Sequence, residues 1–329
     1  MEYGARFLAI LYVASDRPGV GKTALCAALA HELRQHGKNA AVFKPVAASA
    51  GDDPDVAAYR ELLGQSQAPE GPADVETSVA QLAERNDVVL VEGTSSAADN
   101  DAAKLTETLD AKVIAVARYG PDLDADDLAA FKATFGDRLI GFVVNSLTRY
   151  QGTSYKTELA PSMQARGLVP LGAILEDRRL LGVTVGELAT HLDATYLNVC
   201  NSDDALVEHV MVGGMGLDSG EMYFGLRQHK AVVVRGDRPD IQMSALATPT
   251  ACMVLANGIE PIEYVLNEAA QEEVPLISVQ TDTLGTMESM NGLLDRARFD
   301  HPSKLERFVE LLDEHVDTAA IYSAVGLTQ

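Results

Sequence analysis

"FLAILYVASDRPGVGKTALCAALAHELRQHG", residues 7–37, contains the transition that decides the fold. Residues 7–15 are apolar almost without interruption, the pattern of a strand covered on both faces. Residues 23–37 carry strong helix formers and close on Gly37, a residue suited to a helix C-terminus. Between them lies a turn that holds Pro18, Gly19 and Gly21 and ends in Lys22 and Thr23. The stretch therefore predicts a buried strand, a glycine turn and a helix.

The same alternation continues outward. Further buried-strand patterns occur at 39–46, 87–94, 112–119, 139–147 and 169–175, with helical patterns such as 124–136 between them. Strand and helix in repeated alternation predict a parallel sheet with helices on both faces. Residues 181–198 read as a closing helix and a short strand. Turn and cap residues at 201–204 then open a second unit with strand patterns at 230–237, 251–258 and 274–282. The expected organisation is α/β throughout: a parallel-sheet domain over 1–198 and a smaller α/β domain over 199–329. Residues 301–316 read as a last helix, with Ser303 and Glu306 spaced as a capping box.

Composition bounds the function. The chain has 329 residues, enough for two domains. A net charge of -22 and the absence of tryptophan argue against binding nucleic acid, whose phosphates would be repelled and whose bases would find few stacking partners. No apolar run approaches the ~20 residues of a membrane span, and a cytoplasmic location is expected. Cys26, Cys200 and Cys252 lack metal-ligand spacing and read as buried free thiols.

The turn at 16–22 has the makings of an anion site. Backbone N–H groups at a glycine turn and a helix N-terminus converge on one point. Arg17, Pro18, Gly19, Val20, Gly21, Lys22, Thr23 and Ala24 are the expected nucleotide-binding residues. Lys22 adds charge between terminal phosphates, and the Thr23 hydroxyl is placed for Mg²⁺. Ser15 and Asp16 stand where the usual pattern begins with glycine, and Ser15 is expected to make the turn in its place. Glu92 ends a buried strand at the sheet edge where ligands bind, and is the expected second metal ligand, with Gly93 giving room. Lys44 ends another strand at that edge, either to neutralise a phosphate or carboxylate or simply to snorkel from the surface. Asp52, Asp53 and Asp55 precede or open a helix and read either as the source of a third metal ligand, with Asp55 preferred, or as charges that only favour the helix N-terminus. Asn145, at another strand end, reads either as a contact to a base edge or as a turn former.

These residues together resemble dethiobiotin synthetase and the wider group of phosphate-loop synthetases. The segments "ASDRPGVGKT", "FKPVAAS", "DVAAYRELLG", "VVLVEGT", "GFVVNSL" and "PLGAIL" carry the likeness in order. It implies ATP with Mg²⁺ held by Lys22, Thr23, Asp55 and Glu92, adenine read near Asn145, and Lys44 beside the phosphates. Thr94, Ser95 and Ser96 depart from that family's glycine-rich run, which places the diamine-substrate pocket in doubt. The second half resembles a DRTGG domain through "VEHVMVGGMG", "VVVRGDRPDIQMSAL" and "VPLISVQTDTLGTME", although Pro239 and Asp240 stand where the motif names Thr and Gly. The whole resembles the N-terminal, non-catalytic region of long bacterial phosphotransacetylases, and the resemblance alone implies a homodimer.

Two functions fit. One is a regulator that binds ATP·Mg²⁺ and an unidentified second small molecule. The other is an ATP-dependent synthetase in which Lys22 and Lys44 are catalytic and a carboxylate or carbamate is activated by phosphorylation. In the second half, the glycine run at 213–220 and the turn at 236–238, with Arg235 and Arg238, read equally as an anion cradle or as structural loops. Residues 281–283 read first as a helix cap.

Overall fold

The computed structural model describes residues 9–45, 53–64, 75–93, 100–199, 201–214, 220–293 and 297–327. The chain divides into two compact units, Met1–Asp177 with Phe299–Gln329, and Arg178–Arg298.

The first unit is built on β1 (Ala9–Ser15), β2 (Ala40–Phe43), β3 (Val88–Glu92), β4 (Lys112–Arg118), β5 (Leu139–Leu147) and β6 (Pro170–Leu175). They form one sheet in the order β2-β3-β1-β4-β5-β6, and every pairing is parallel. Each predicted strand of the first half is present. Their continuous apolar runs have the expected cause, because both sheet faces are covered. Ile10, Tyr12 and Ala14 point into a core shared with Val79 of α3 (Val75–Ala83), Ala102 of α4 (Asn100–Thr108), Leu128 and Phe131 of α5 (Ala125–Phe135), and Met163. The alternate residues Leu11 and Val13 are equally buried, since successive strand side chains point to opposite faces. Met163 lies in α7 (Ala160–Ala165), which follows the short α6 (Gly152–Ser154) and a π-helical turn, Tyr155–Leu159.

Two further helices set the functional edge. α1 (Lys22–Gln35) begins immediately after the glycine turn. α2 (Pro54–Leu63) is capped by Asp53, whose carboxylate accepts from the amides of Asp55 and Val56, and Pro54 occupies the first helical position. The Arg34 guanidinium ties α1 to the end of α2 through the Leu63 carbonyl at 2.7 Å, and to β2 through the Ala40 carbonyl.

The second unit contains β7 (Val183–Thr184), α8 (Val185–His191), β8 (Thr195–Tyr196), β9 (Leu206–Val207) and β10 (His209–Val212). These are followed by α9 (Gly220–Phe224), β11 (Lys230–Arg235), α10 (Pro239–Leu246), β12 (Thr250–Ala256), α11 (Glu263–Gln271), β13 (Leu276–Ser278) and α12 (Thr283–Ser289). Its sheet has the order β10-β11-β12-β13-β8, parallel except for β8, and β7 pairs with β9. Asp282 caps α12, as residues 281–283 suggested.

The observed partition differs from the expected boundary at 198/199. Residues 178–198 supply β7 and β8, which among the described residues pair with strands of the second unit, so they belong there. The chain also returns to the first unit at its end. α13 (Pro302–His315) and α14 (Thr318–Ala324) follow, and the Arg307 guanidinium holds Asp177 at 2.8 Å. The Asp317 amide donates to the Leu171 carbonyl, and Gly172 bridges to Val316. The predicted helix at 301–316 is present, but its cap is not Ser303. The His301 ring accepts from the Ser303 amide, because Pro302 takes the first helical position and the cap falls two residues earlier than Ser303. Cys26 and Cys252 are buried free thiols, and Cys200 lies outside the described residues.

Candidate functional site

The site grows from the way β1 ends. The Ser15 side chain is fully buried and its hydroxyl donates to the Arg17 carbonyl at 2.9 Å, folding the chain over at once. Gly19 and Gly21 take left-handed conformations, with φ of 72° and 101°, which side chains with a Cβ resist. A Cβ on Gly21 would also overlap the Asn145 amide. The turn delivers Lys22 as the first residue of α1, and its ammonium donates to Ser15 Oγ at 2.9 Å. Ser15 therefore does more than turn the chain. It supplies the hydroxyl on which the Lys22 ammonium rests.

Pro18, Gly19, Gly21, Lys22, Thr23, Lys44, Pro45, Asp55, Glu92 and Gly93 line a cavity of about 280 Å³ at the carboxyl ends of β1, β2 and β3. Three strands that are adjacent in the sheet place their terminal residues around one space. This is the edge where open α/β sheets bind ligands.

The polar groups within it are interlocked. Thr23 Oγ1 donates to Glu92 Oε1 at 3.1 Å, and the Tyr59 hydroxyl donates to Glu92 Oε2. Lys44 Nζ donates to Asp53 Oδ1 at 3.1 Å and also to Asp55 Oδ2. Burial lowers the pKa of Lys22, an effect partly offset by the Glu92 carboxylate. Burial likewise raises the Glu92 pKa, against the hydrogen bond from Tyr59. At Lys44 burial is outweighed by the hydrogen bonds and charge of Asp55, Glu92 and Asp53, so its pKa is held above the usual lysine value. Burial also works against ionised Asp53, but Lys44 and the Val56 and Asp55 amides hold its carboxyl below the usual range.

The structure thus brings Lys22, Thr23, Lys44, Asp55 and Glu92 to one cavity. Four other expected residues stand differently. The Arg17 side chain is exposed and paired with Asp16 at 2.8 Å. Val20 and Ala24 are buried in the packing around α1. Asn145 lies beneath the loop: its Nδ2 donates to the Val20 carbonyl and its Oδ1 accepts from the Ser146 amide, both at 2.8 Å. The space beside Gly93 is filled by the Tyr12 ring, so this glycine is needed for close packing as well as for access. Asp53, the alternative to Asp55 in the sequence, caps α2 and accepts from Lys44, whereas Tyr59 goes unread in the sequence because an apolar helix position explains it. Thr94, Ser95 and Ser96 lie outside the described residues.

Among the described residues no group of three or more His, Cys, Asp or Glu side chains is gathered for a metal ion. The hydroxyl of Thr23 and the carboxylate of Glu92 still form an adjacent pair of hard oxygen donors facing the cavity. That pair fits Mg²⁺, which takes one or two protein carboxylates and keeps its remaining positions for water and phosphate.

Comparison with known proteins agrees with this architecture. Residues 10–76 match the model of an AAA domain, and residues 187–293 match that of the DRTGG domain. The second unit is therefore similar to a DRTGG domain over residues 187–293. The full chain is similar to the phosphate acetyltransferase of Deinococcus radiodurans, with 24% identity over 94% of this chain and 50% of that protein. The phosphate acetyltransferase of Nitrosomonas europaea is 23% identical over 97% of this chain and 52% of its own length. The chain therefore spans about half the length of the curated relatives it matches. Solved structures that overlap in part include the signal recognition particle receptor FtsY of Elizabethkingia anophelis, with a TM-score of 0.38 and 19% identity over 53% of this chain and 59% of that one. Another is the CBS and DRTGG regulatory region of Clostridium perfringens pyrophosphatase in complex with the activator diadenosine tetraphosphate, with a TM-score of 0.30 and 13% identity over 54% of this chain and 73% of that one. The strand order and the loop geometry, with the match over residues 10–76, define the first unit as a P-loop α/β fold. No helix among the described residues is long and apolar enough to cross a membrane.

Proposed function

We propose that the chain binds ATP·Mg²⁺ at the Lys22–Glu92 cavity and acts as a regulatory protein that responds to nucleotide and to a second small metabolite. The observation that carries this reading is the convergence of Lys22, Thr23 and Glu92 on one cavity at the ends of two neighbouring strands. In this reading Gly19, Gly21 and the start of α1 receive the phosphates, and Lys22 neutralises them. Thr23 and Glu92 hold the metal ion, and Asp55 stands at the same wall. When bound, Mg²⁺ supplies charge neutralisation and orientation of the polyphosphate. Burial disfavours charge on both Lys22 and Glu92, and a polyanion beside one with a cation beside the other reverses both penalties.

The regulatory reading rests on the state of Lys44 and on the second unit. The lysine that a synthetase would use to hold its acceptor is engaged by two carboxylates of α2. The DRTGG-like second unit offers a separate place for a second ligand. Coupling between the two requires two states that both ligands bias. A synthetase remains the second reading, because Lys44 lines the same cavity as Lys22.

Titration calorimetry with ATP and Mg²⁺ tests the binding. A saturable heat is expected, and no heat at millimolar nucleotide overturns the reading. A screen of metabolites for ADP production then separates the two functions: negligible turnover throughout supports the regulator, and ADP release that depends on one added metabolite supports the synthetase.

A further inference from the structure

Glu92 is buried, and its two oxygens face different partners. Oε1 meets the Thr23 hydroxyl at the cavity wall, and Oε2 receives the Tyr59 hydroxyl. Rotation about the last torsion of a glutamate is soft and roughly two-fold. Left to itself, the plane of this carboxylate can turn so that neither oxygen faces Thr23. The phenol removes the ambiguity. A tyrosine hydroxyl has one proton to give, and here it goes to the oxygen turned away from Thr23.

The phenol is itself held in place. Tyr59 is buried in the middle of α2. α2 is anchored at both ends. Asp53 and Asp55 grip Lys44 at its start, and the Leu63 carbonyl accepts from Arg34 at its finish. One short helix therefore places a donor on the carboxylate of the cavity and two acceptors on its second lysine.

We infer that Tyr59 is a positioning residue for the divalent-ion site, fixing the Glu92 carboxylate so that Oε1 is presented beside Thr23. The inference rests on the reading of the cavity as a nucleotide·Mg²⁺ site. Tyr59 touches neither nucleotide nor metal; it acts through Glu92, as groups behind a metal ligand do when they set its orientation.

The experiment is calorimetric titration of ATP into the full chain, once in EDTA and once in Mg²⁺, for the wild type and for Tyr59→Phe. The ring and its packing remain and only the donor is lost. The affinity without metal is expected to stay within about twofold, because Gly19, Gly21 and Lys22 are untouched, whereas the gain in affinity on adding Mg²⁺ is expected to shrink about tenfold. In a Glu92→Gln background, Tyr59→Phe should reduce that gain no further, since both changes act on one group. An unchanged Mg²⁺ gain in Tyr59→Phe overturns the inference, and so does an equal loss with and without metal, the mark of a merely structural role. Circular dichroism checks the fold, and Tyr59→Leu, which deletes the same donor with a different shape, takes the place of Tyr59→Phe if that variant does not fold. Absence of ATP binding by the wild type removes the cavity reading itself. Mg²⁺-dependent binding that Tyr59→Phe leaves intact removes only the role of Tyr59.

Discussion

Each unit contains a parallel strand that runs through a glycine turn into a helix, yet the two turns end differently. In the first, Ser15 folds the chain over, and Lys22 and Thr23 arrive at a cavity. In the second, β11 passes through residues 236–238 into α10, and the turn closes on itself. Arg235 is paired with Asp237, with Nε to Oδ1 at 2.9 Å, and Arg238 with Asp240, with Nε to Oδ1 at 3.0 Å. The buried Gln242 amide donates to the carbonyls of Arg235 and Gly236. A Cβ on Gly236 would overlap the Ile259 carbonyl. Pro239 removes one amide from the helix start, and Asp240 takes up its positive end. The shared topology does not make a site. What differs is where the donors point once local carboxylates and packing have been satisfied.

The comparison breaks most directly at the cations. Lys22→Ala is expected to weaken ATP·Mg²⁺ binding about a thousandfold, the ~4 kcal/mol typical of truncating one partner of a buried charge contact. Arg235→Ala and Arg238→Ala should change it less than twofold. Calorimetry on the three variants decides it, and a large loss from either arginine would place phosphate recognition in the wrong unit.

The glycines sharpen the contrast by stability. Gly236→Ala drives a methyl group into a carbonyl and is expected to cost about 2–3 kcal/mol in urea denaturation. Gly19→Ala meets no atom within 4 Å. It carries only the left-handed backbone penalty, about 1 kcal/mol. If both cost the same, the second turn is not held shut by packing.

The buried lysines differ as well, and pH reads the difference. Lys230 is fully buried at the start of β11 and donates to Thr248 Oγ1 and the Pro249 carbonyl, with its pKa lowered by burial to about 8. A lysine whose folded pKa lies below its unfolded value of 10.5 leaves the unfolded chain holding more protons between those two values. Lys230 should therefore make stability rise with pH from about 8 to about 10.5, by roughly 3 kcal/mol, and Lys230→Met should remove that contribution. Denaturant melts of both proteins across that window are the check. Lys22 is also depressed by burial and adds to the rise in the same direction, but its ammonium faces a cavity, so added nucleotide should offset its share.

Much of this was legible in the sequence, for identifiable reasons. The six strands of the first sheet read correctly because both faces are covered and the runs are unbroken. Lys44, Asp55 and Glu92 read correctly as neighbours because all three sit where strands end or the next helix begins, and a parallel sheet brings such residues to one edge. The contributions of Ser15 and Tyr59 were hidden. A serine at a turn and a tyrosine on a helix are both explained locally, and nothing in one sequence shows that their hydroxyls meet Lys22 and Glu92. Asn145 was visible as a strand-end residue, but its partner, the Val20 carbonyl, lies 125 positions away. The return of α13 to the first unit was hidden for the same reason: an amphipathic helix announces that one face is covered, and not by what.

The smallest effect probes whether the second turn is a site held closed by its own carboxylates. Asp237→Asn and Asp240→Asn together remove the charges that face Arg235 and Arg238. Exposed pairs of this type contribute little, so the melting temperature should move by no more than about 2 °C. If pairing alone suppressed anion binding, the double variant would acquire affinity for inorganic phosphate or ATP in the second unit. No such gain is expected. Freed arginines would stand over a turn whose carbonyls are already capped by Gln242 and whose helix lacks the amide that Pro239 removes, and an anion needs several convergent donors. Calorimetric titration of phosphate into the double variant, with Lys22→Ala added to silence the first unit, measures this directly. Binding in the micromolar range would mean that the two turns differ by two aspartates rather than by backbone geometry.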